Sequence, residues 1–122
     1  MLTIETLDAH VPIKQQVNEI AAPVVLINFF TVDLKDKDAL LKAWEQDANW
    51  WKKQPGYIST QLHRGIGGSN VFLNYAVWES VAHFRAAFSH PDFSNALSTY
   101  PSSAVARPHL FSKVEVPNIC TK

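Results

Sequence analysis

Hydrophobic and polar positions change period repeatedly along the chain, and each change marks an element. Residues 23–33 (PVVLINFFTVD) are β-branched and aromatic with almost no polar position before the end, as in a strand covered on both faces. From Asp36 the pattern becomes helical, with Leu40, Trp44, Ala48 and Trp51 on one stripe, and Pro55-Gly56 ends it. Residues 57–64 alternate as a second strand, residues 65–70 (GIGGSN) form a turn, and residues 71–78 give a third strand, so the pair reads as a hairpin. Ser80 is suited to cap a helix carrying Val81, Phe84 and Phe88. Pro91 forces a restart, Phe93, Ala96, Leu97 and Tyr100 continue in helical spacing, and Pro101 stops them. Residues 109–116 are expected to form the last strand.

The order β-α-β-β-α-β predicts an α+β, ferredoxin-like domain over residues 23–116: a four-stranded antiparallel sheet with two helices on one face. Residues 117–122 are left as a tail. Residues 1–22 lie outside the unit, and Val11, Ile13, Val17 and Ile20 are expected to form a short arm over a sheet edge or a partner. A first strand apolar on both sides would leave Val25, Ile27 and Phe29 in water in a monomer, which predicts a homodimer packed sheet against sheet.

Composition narrows the function. Eleven basic residues balance eleven acidic ones, so no broad positive field exists to hold nucleic acid or an anionic membrane. No apolar run approaches the roughly 18 residues of a membrane span, and the start lacks a secretory pattern. The one cysteine, Cys120, has no internal partner and fits a reducing compartment, so a cytoplasmic protein is expected. Five scattered histidines show no metal-ligand spacing, and no metal site is expected. The glycine-rich turn is not followed by a helix, so it lacks the setting of a phosphate loop.

The run Asn74-Tyr75-Ala76-Val77-Trp78-Glu79-Ser80 carries the most chemistry. On a strand, Asn74, Ala76 and Trp78 share one face. An amide and an indole flanking a small Ala leave room there, either for other side chains to pack or for a ligand.

Together with Pro55-Gly56-Tyr57-Ile58-Ser59, His63, Phe84-Arg85 and Phe88, this run resembles the antibiotic biosynthesis monooxygenase family. These are small dimeric α+β barrel proteins that include cofactor-free anthrone oxygenases, and the likeness covers about residues 23–116. The resemblance implies an enzyme that oxidises a small aromatic substrate (anthrone, phenol or quinol-like) with O2 and without a cofactor. It places Asn74 and Trp78 in the substrate cavity, where they are the candidate catalytic residues, and Asn28, Trp44, Trp51, Phe84 and Phe88 are the candidate substrate contacts. His63 is the candidate proton acceptor, since its ordinary pKa suits neutral pH. Two features differ from those oxygenases: Phe84 stands where they carry a tyrosine, and no arginine stands in the second half of the second helix, where they have one. A non-catalytic small-molecule-binding protein on the same fold is therefore the alternative. The likeness also extends to haem-degrading relatives through Asn28, but Leu97 falls where they place an axial histidine, and a hydrocarbon cannot ligate iron.

Overall fold

The computed structural model describes residues 1–122. Its elements are β1 (Thr3–Ile4), α1 (Ile13–Gln16), β2 (Val24–Thr31), α2 (Lys37–Trp51), β3 (Tyr57–Arg64), β4 (Val71–Trp78), α3 (Val81–Phe88), α4 (Pro91–Ala96) and β5 (Val105–Phe111). The strands form one sheet in the order β1-β5-β2-β4-β3. All pairings are antiparallel except the short β1–β5 pair.

Strand parity decides which residues meet the helices. Val24, Leu26 and Phe30 of β2 share a face with Phe72, Ala76 and Trp78 of β4 and with Ala106 and Leu110 of β5. All are buried. Leu40 and Ala43 of α2 join Phe30, Phe72 and Ala106 in one cluster, and Val81, Phe84 and Ala87 of α3 join Leu26, Ala76 and Trp78 in a second. Both helices therefore cover the same sheet face, as the ferredoxin-like pattern predicts. The other face presents Val25, Ile27, Phe29 and Val77 half-buried, with Tyr75 exposed.

Local chemistry explains the element ends. Ser80 caps α3, its Oγ accepting the His83 N–H at 3.1 Å and lying 2.7 Å from His83 Nδ1. Gly56 has φ +86°, and a Cβ there would come within 2.3 Å of the His83 side chain. The turn before β3 can thus pack against α3 only with glycine at that position.

Two expectations need correction. The last strand is Val105–Phe111, not residues 109–116. Its start is masked by small residues, and Pro108 reads as a strand breaker. Yet Leu110 exchanges both backbone groups with the Gln16 side chain, and the Ala106 carbonyl accepts from Glu5 N–H. Even positions of β5 therefore point away from β2, so Pro108 removes no bond from that ladder. The sheet also has five strands rather than four, because the amino-terminal segment supplies β1.

That segment lines the β5 edge. Leu2 N–H donates to Leu97 O, Thr3 N–H to Ala104 O and Glu5 N–H to Ala106 O. Further on, Val81 N–H donates to Ala21 O, and Arg85 donates to Val17 O. Residues 1–22 are built onto the domain rather than extending from it.

Candidate active site

A cavity lies between the sheet and the helices, lined by twenty residues of which fifteen are hydrophobic. Its sheet wall is built by register. Asn28 stands directly opposite Asn74 across β2 and β4, so their side chains are neighbours on the covered face. Thr60 of β3 hydrogen-bonds through Oγ1 to Asn74 Oδ1 at 2.5 Å. Four residues beyond Asn74, Trp78 faces the same way, 1% exposed, with the Tyr57 ring edge-on at 5.8 Å.

Two polar atoms of this wall are buried without a protein partner: the Asn28 Oδ1 acceptor and the Trp78 Nε1–H donor. Native proteins pair almost all buried polar groups, because an unpaired one costs on the order of 1–3 kcal/mol. Both residues line the cavity, and as packed neither of these two atoms has appreciable surface open to it.

The opposite wall is aromatic. Trp51 stacks on Phe84 at 5.8 Å and meets Trp78 edge-on at 5.5 Å, while Phe84 stacks on Phe88 at 5.2 Å. Phe84 is fully buried among these rings; a tyrosine there would need a partner for its hydroxyl. The packing leaves an open volume of about 60 Å³, well short of the roughly 300 Å³ or more of a drug-sized ligand pocket. Leu2 and Ile4 of the amino-terminal segment complete the lining.

The structure brings Asn28, Asn74, Trp44, Trp51, Trp78, Phe84 and Phe88 to this one cavity. It does not bring His63 there. His63 pairs with Leu73, one position out of step with the Leu62–Asn74 pair. It therefore projects from the opposite face of the sheet, exposed.

Sequence reasoning passed over the acid the cavity does contain. Asp47 of α2 is 8% exposed, its Oδ1 accepting from Trp51 Nε1 at 3.0 Å and its Oδ2 from the Tyr100 hydroxyl at 2.9 Å. Burial pushes its carboxyl up from 3.8 to about 6, against the smaller opposing effect of those two donors. Burial and the adjacent carboxylate push the Tyr100 phenol well above its usual range, so it remains a donor. The signal was present in the helical stripe Leu40, Trp44, Asp47, Ala48, Trp51, where a carboxylate interrupts an otherwise apolar face. No three His, Cys, Asp or Glu side chains converge in a metal-holding group.

The sequence signature of antibiotic biosynthesis monooxygenases matches residues 23–98. The chain belongs to that family. Among solved structures, this antibiotic biosynthesis monooxygenase family member is similar to SnoaB, a cofactor-independent oxygenase from Streptomyces nogalater, at 24% identity and a TM-score of 0.71. That match covers 80% of this chain and 99% of SnoaB. A monooxygenase-like protein from Shewanella loihica PV-4 is 33% identical, covering 78% of this chain and 97% of its own, with a TM-score of 0.67. No curated protein sequence matches the chain. The family match begins at residue 23, so the segment carrying Leu2 and Ile4 adds a cavity wall from outside the matched region.

Proposed function

We propose that this family member oxidises a small aromatic substrate of the anthrone, phenol or quinol class with O2, using no cofactor. The carrying observation is the pair of unpartnered buried atoms, Asn28 Oδ1 and Trp78 Nε1, in a predominantly apolar cavity. Such a substrate offers a hydroxyl to donate and an oxygen to accept. Once it loses a proton, its electron-rich anion can reduce O2 directly. The indole N–H of Trp78 and the amide N–H groups of Asn28 and Asn74 are the donors for the developing oxyanion. The aromatic wall stacks on the ring and excludes water, which strengthens each of those hydrogen bonds.

A ring-sized guest needs on the order of 300 Å³ or more. Entry is therefore coupled to movement of the segment bearing Leu2 and Ile4 or of the Phe88–Phe93 side. The tight aromatic packing around Phe84 favours a second reading, a non-catalytic small-molecule-binding protein. A homodimer joined through the apolar outer sheet face, in the cytoplasm, completes the proposal; Cys120 is free, and no helix is long and apolar enough to cross a membrane.

Oxygen uptake by metal-free, flavin-free protein with a panel of anthrones and hydroquinones tests the proposal. Saturable uptake is expected, with a mass shift identifying the oxygenated product. Trp78→Phe keeps an aromatic ring but removes the N–H and should lower turnover, with folding checked alongside because the smaller ring leaves a void. Asn74→Ala should cost about 3 kcal/mol of transition-state stabilisation if that amide serves the oxyanion. Binding of the same compounds with uptake no faster than in protein-free buffer would favour the second reading.

A further inference from the structure

Oxidation by this route requires a group that first takes a proton from the substrate, and His63, the neutral-pH candidate by residue type, lies on the other side of the sheet. Asp47 is the one acidic side chain in the cavity wall, and no lysine, arginine, histidine or glutamate lines that wall with it. We propose that Asp47 is the catalytic base of this site, that it removes the acidic C–H proton of an anthrone-type aryl ketone, and that Tyr100 and Trp51 hold its carboxylate in position. The proposal rests on the oxygenase reading above and adds to it the proton acceptor.

The geometry suits that role. Trp51 Nε1 and the Tyr100 hydroxyl each occupy one lone pair, one on each carboxylate oxygen, and leave two more for an incoming proton. Trp51 and Tyr100 are themselves locked by stacking, on Phe84 and on Phe30 respectively. The carboxylate is thus oriented by two rigid donors, while the sheet wall opposite carries the Asn28 and Trp78 groups. A simple structural tie between α2 and the chain before β5 would need no charge. An unbalanced acid in an apolar cavity is a destabilising arrangement that active sites retain for chemistry. Because burial lifts its pKa to about 6, Asp47 is mostly ionised at neutral pH, yet its conjugate acid can return the proton. The other titratable groups facing the cavity are Tyr100, from the chain before β5, and Tyr57 of β3. Burial raises the pKa of both, so both stay neutral.

The step balances with O2 as co-reactant. The substrate C–H bond breaks, its proton passes to Asp47, and the electron pair enters the enolate, whose oxygen takes the hydrogen bonds of the sheet wall. Electrons from the enolate reduce O2 as the C–O bond forms. The peroxide's outer oxygen takes the proton back from Asp47. Loss of the remaining C–H proton with O–O cleavage then gives the carbonyl and one water.

Hydrogen–deuterium exchange at the methylene of 1,8-dihydroxyanthrone, followed by NMR in anaerobic D2O, isolates the first step from the reaction with oxygen. The wild type should accelerate exchange with a pH midpoint near 6. Asp47→Asn should slow it by about 100-fold or more, with folding checked by circular dichroism. Tyr100→Phe removes a donor that lowers the Asp47 pKa, so its midpoint should move to higher pH; this variant decides the matter if Asp47→Asn fails to fold. Unchanged exchange in Asp47→Asn, an unmoved midpoint in Tyr100→Phe, or no acceleration by the wild type would each overturn the assignment. Wild-type exchange that depends on Asp47 but is followed by no oxygen uptake when air is admitted would sink the oxygenase reading and leave Asp47 as the base. Oxygen uptake with exchange independent of Asp47 would do the reverse.

Discussion

Asp47 links stability to pH in a direction opposite to that of a paired surface carboxylate. Its folded pKa of about 6 lies above the unfolded value of 3.8, so the folded state holds the proton more tightly. Its contribution is most favourable below about pH 4, declines as pH rises to about 6, and is flat above, a total of about 3 kcal/mol at 1.36 kcal/mol per pKa unit. Urea unfolding of wild type and Asp47→Asn between pH 4 and 8 should show this decline in the difference between the two proteins. A parallel pair of profiles would mean that Asp47 titrates at its ordinary value. At this scale, residue type and strand parity made Asn74 and Trp78 legible, because two residues four apart on a strand must share a face. His63 was misplaced for the same reason in reverse: residue 63 is out of step with Leu62 and Thr60, and only the pairing of β3 with β4 reveals which set faces the helices. Asp47 was hidden by the habit of reading only the apolar members of a helical stripe.

Among the elements, β2, β3, β4 and the two main helices follow directly from their periods, since each buries a long enough face to be specified by its own residues. The segment 1–22 does not, because its two-residue β1 and four-residue α1 are held by bonds to distant backbone and have little pattern of their own. Such an element should open at low free energy compared with the central strands. Native-state hydrogen exchange is expected to release the amides of Leu2, Thr3 and Glu5 well before those of β2 and β4, and Leu2→Ala should speed that release and substrate binding together. Equal protection throughout would mean that the cavity admits its guest by another route. The β5 boundary was misread because Pro108 breaks strands in general, yet with its backbone nitrogen turned away from β2 it costs that ladder nothing.

For the whole molecule, the helices cover one sheet face and leave the other, with Val25, Ile27, Phe29 and Val77, to be covered by something else. The prediction of a second copy belongs here, because β2 raises it and Val77 of β4 extends the same apolar face. Analytical ultracentrifugation should give a dimer for the wild type and a monomer for Ile27→Asp, which would bury a charge in a sheet-on-sheet contact. A wild-type monomer at micromolar concentration would remove that part of the proposal. The ferredoxin-like order was readable from the alternation of periods, whereas the small size of the cavity was not, since side-chain packing between helices and sheet depends on rotamers that no spacing rule supplies.

Gln16 has a consequence at this same scale. Its amide presents one donor and one acceptor to Leu110, both at 2.9 Å, and so behaves as a single residue of an absent neighbouring strand. With β1 beside it, one margin of the sheet is already occupied, and β3 is the margin left unpaired. Endless strand-on-strand stacking needs two open margins per subunit. A sheet with one sealed side can take on a single neighbour there and no more, so its assembly by strand pairing stops at a pair instead of growing into a fibre.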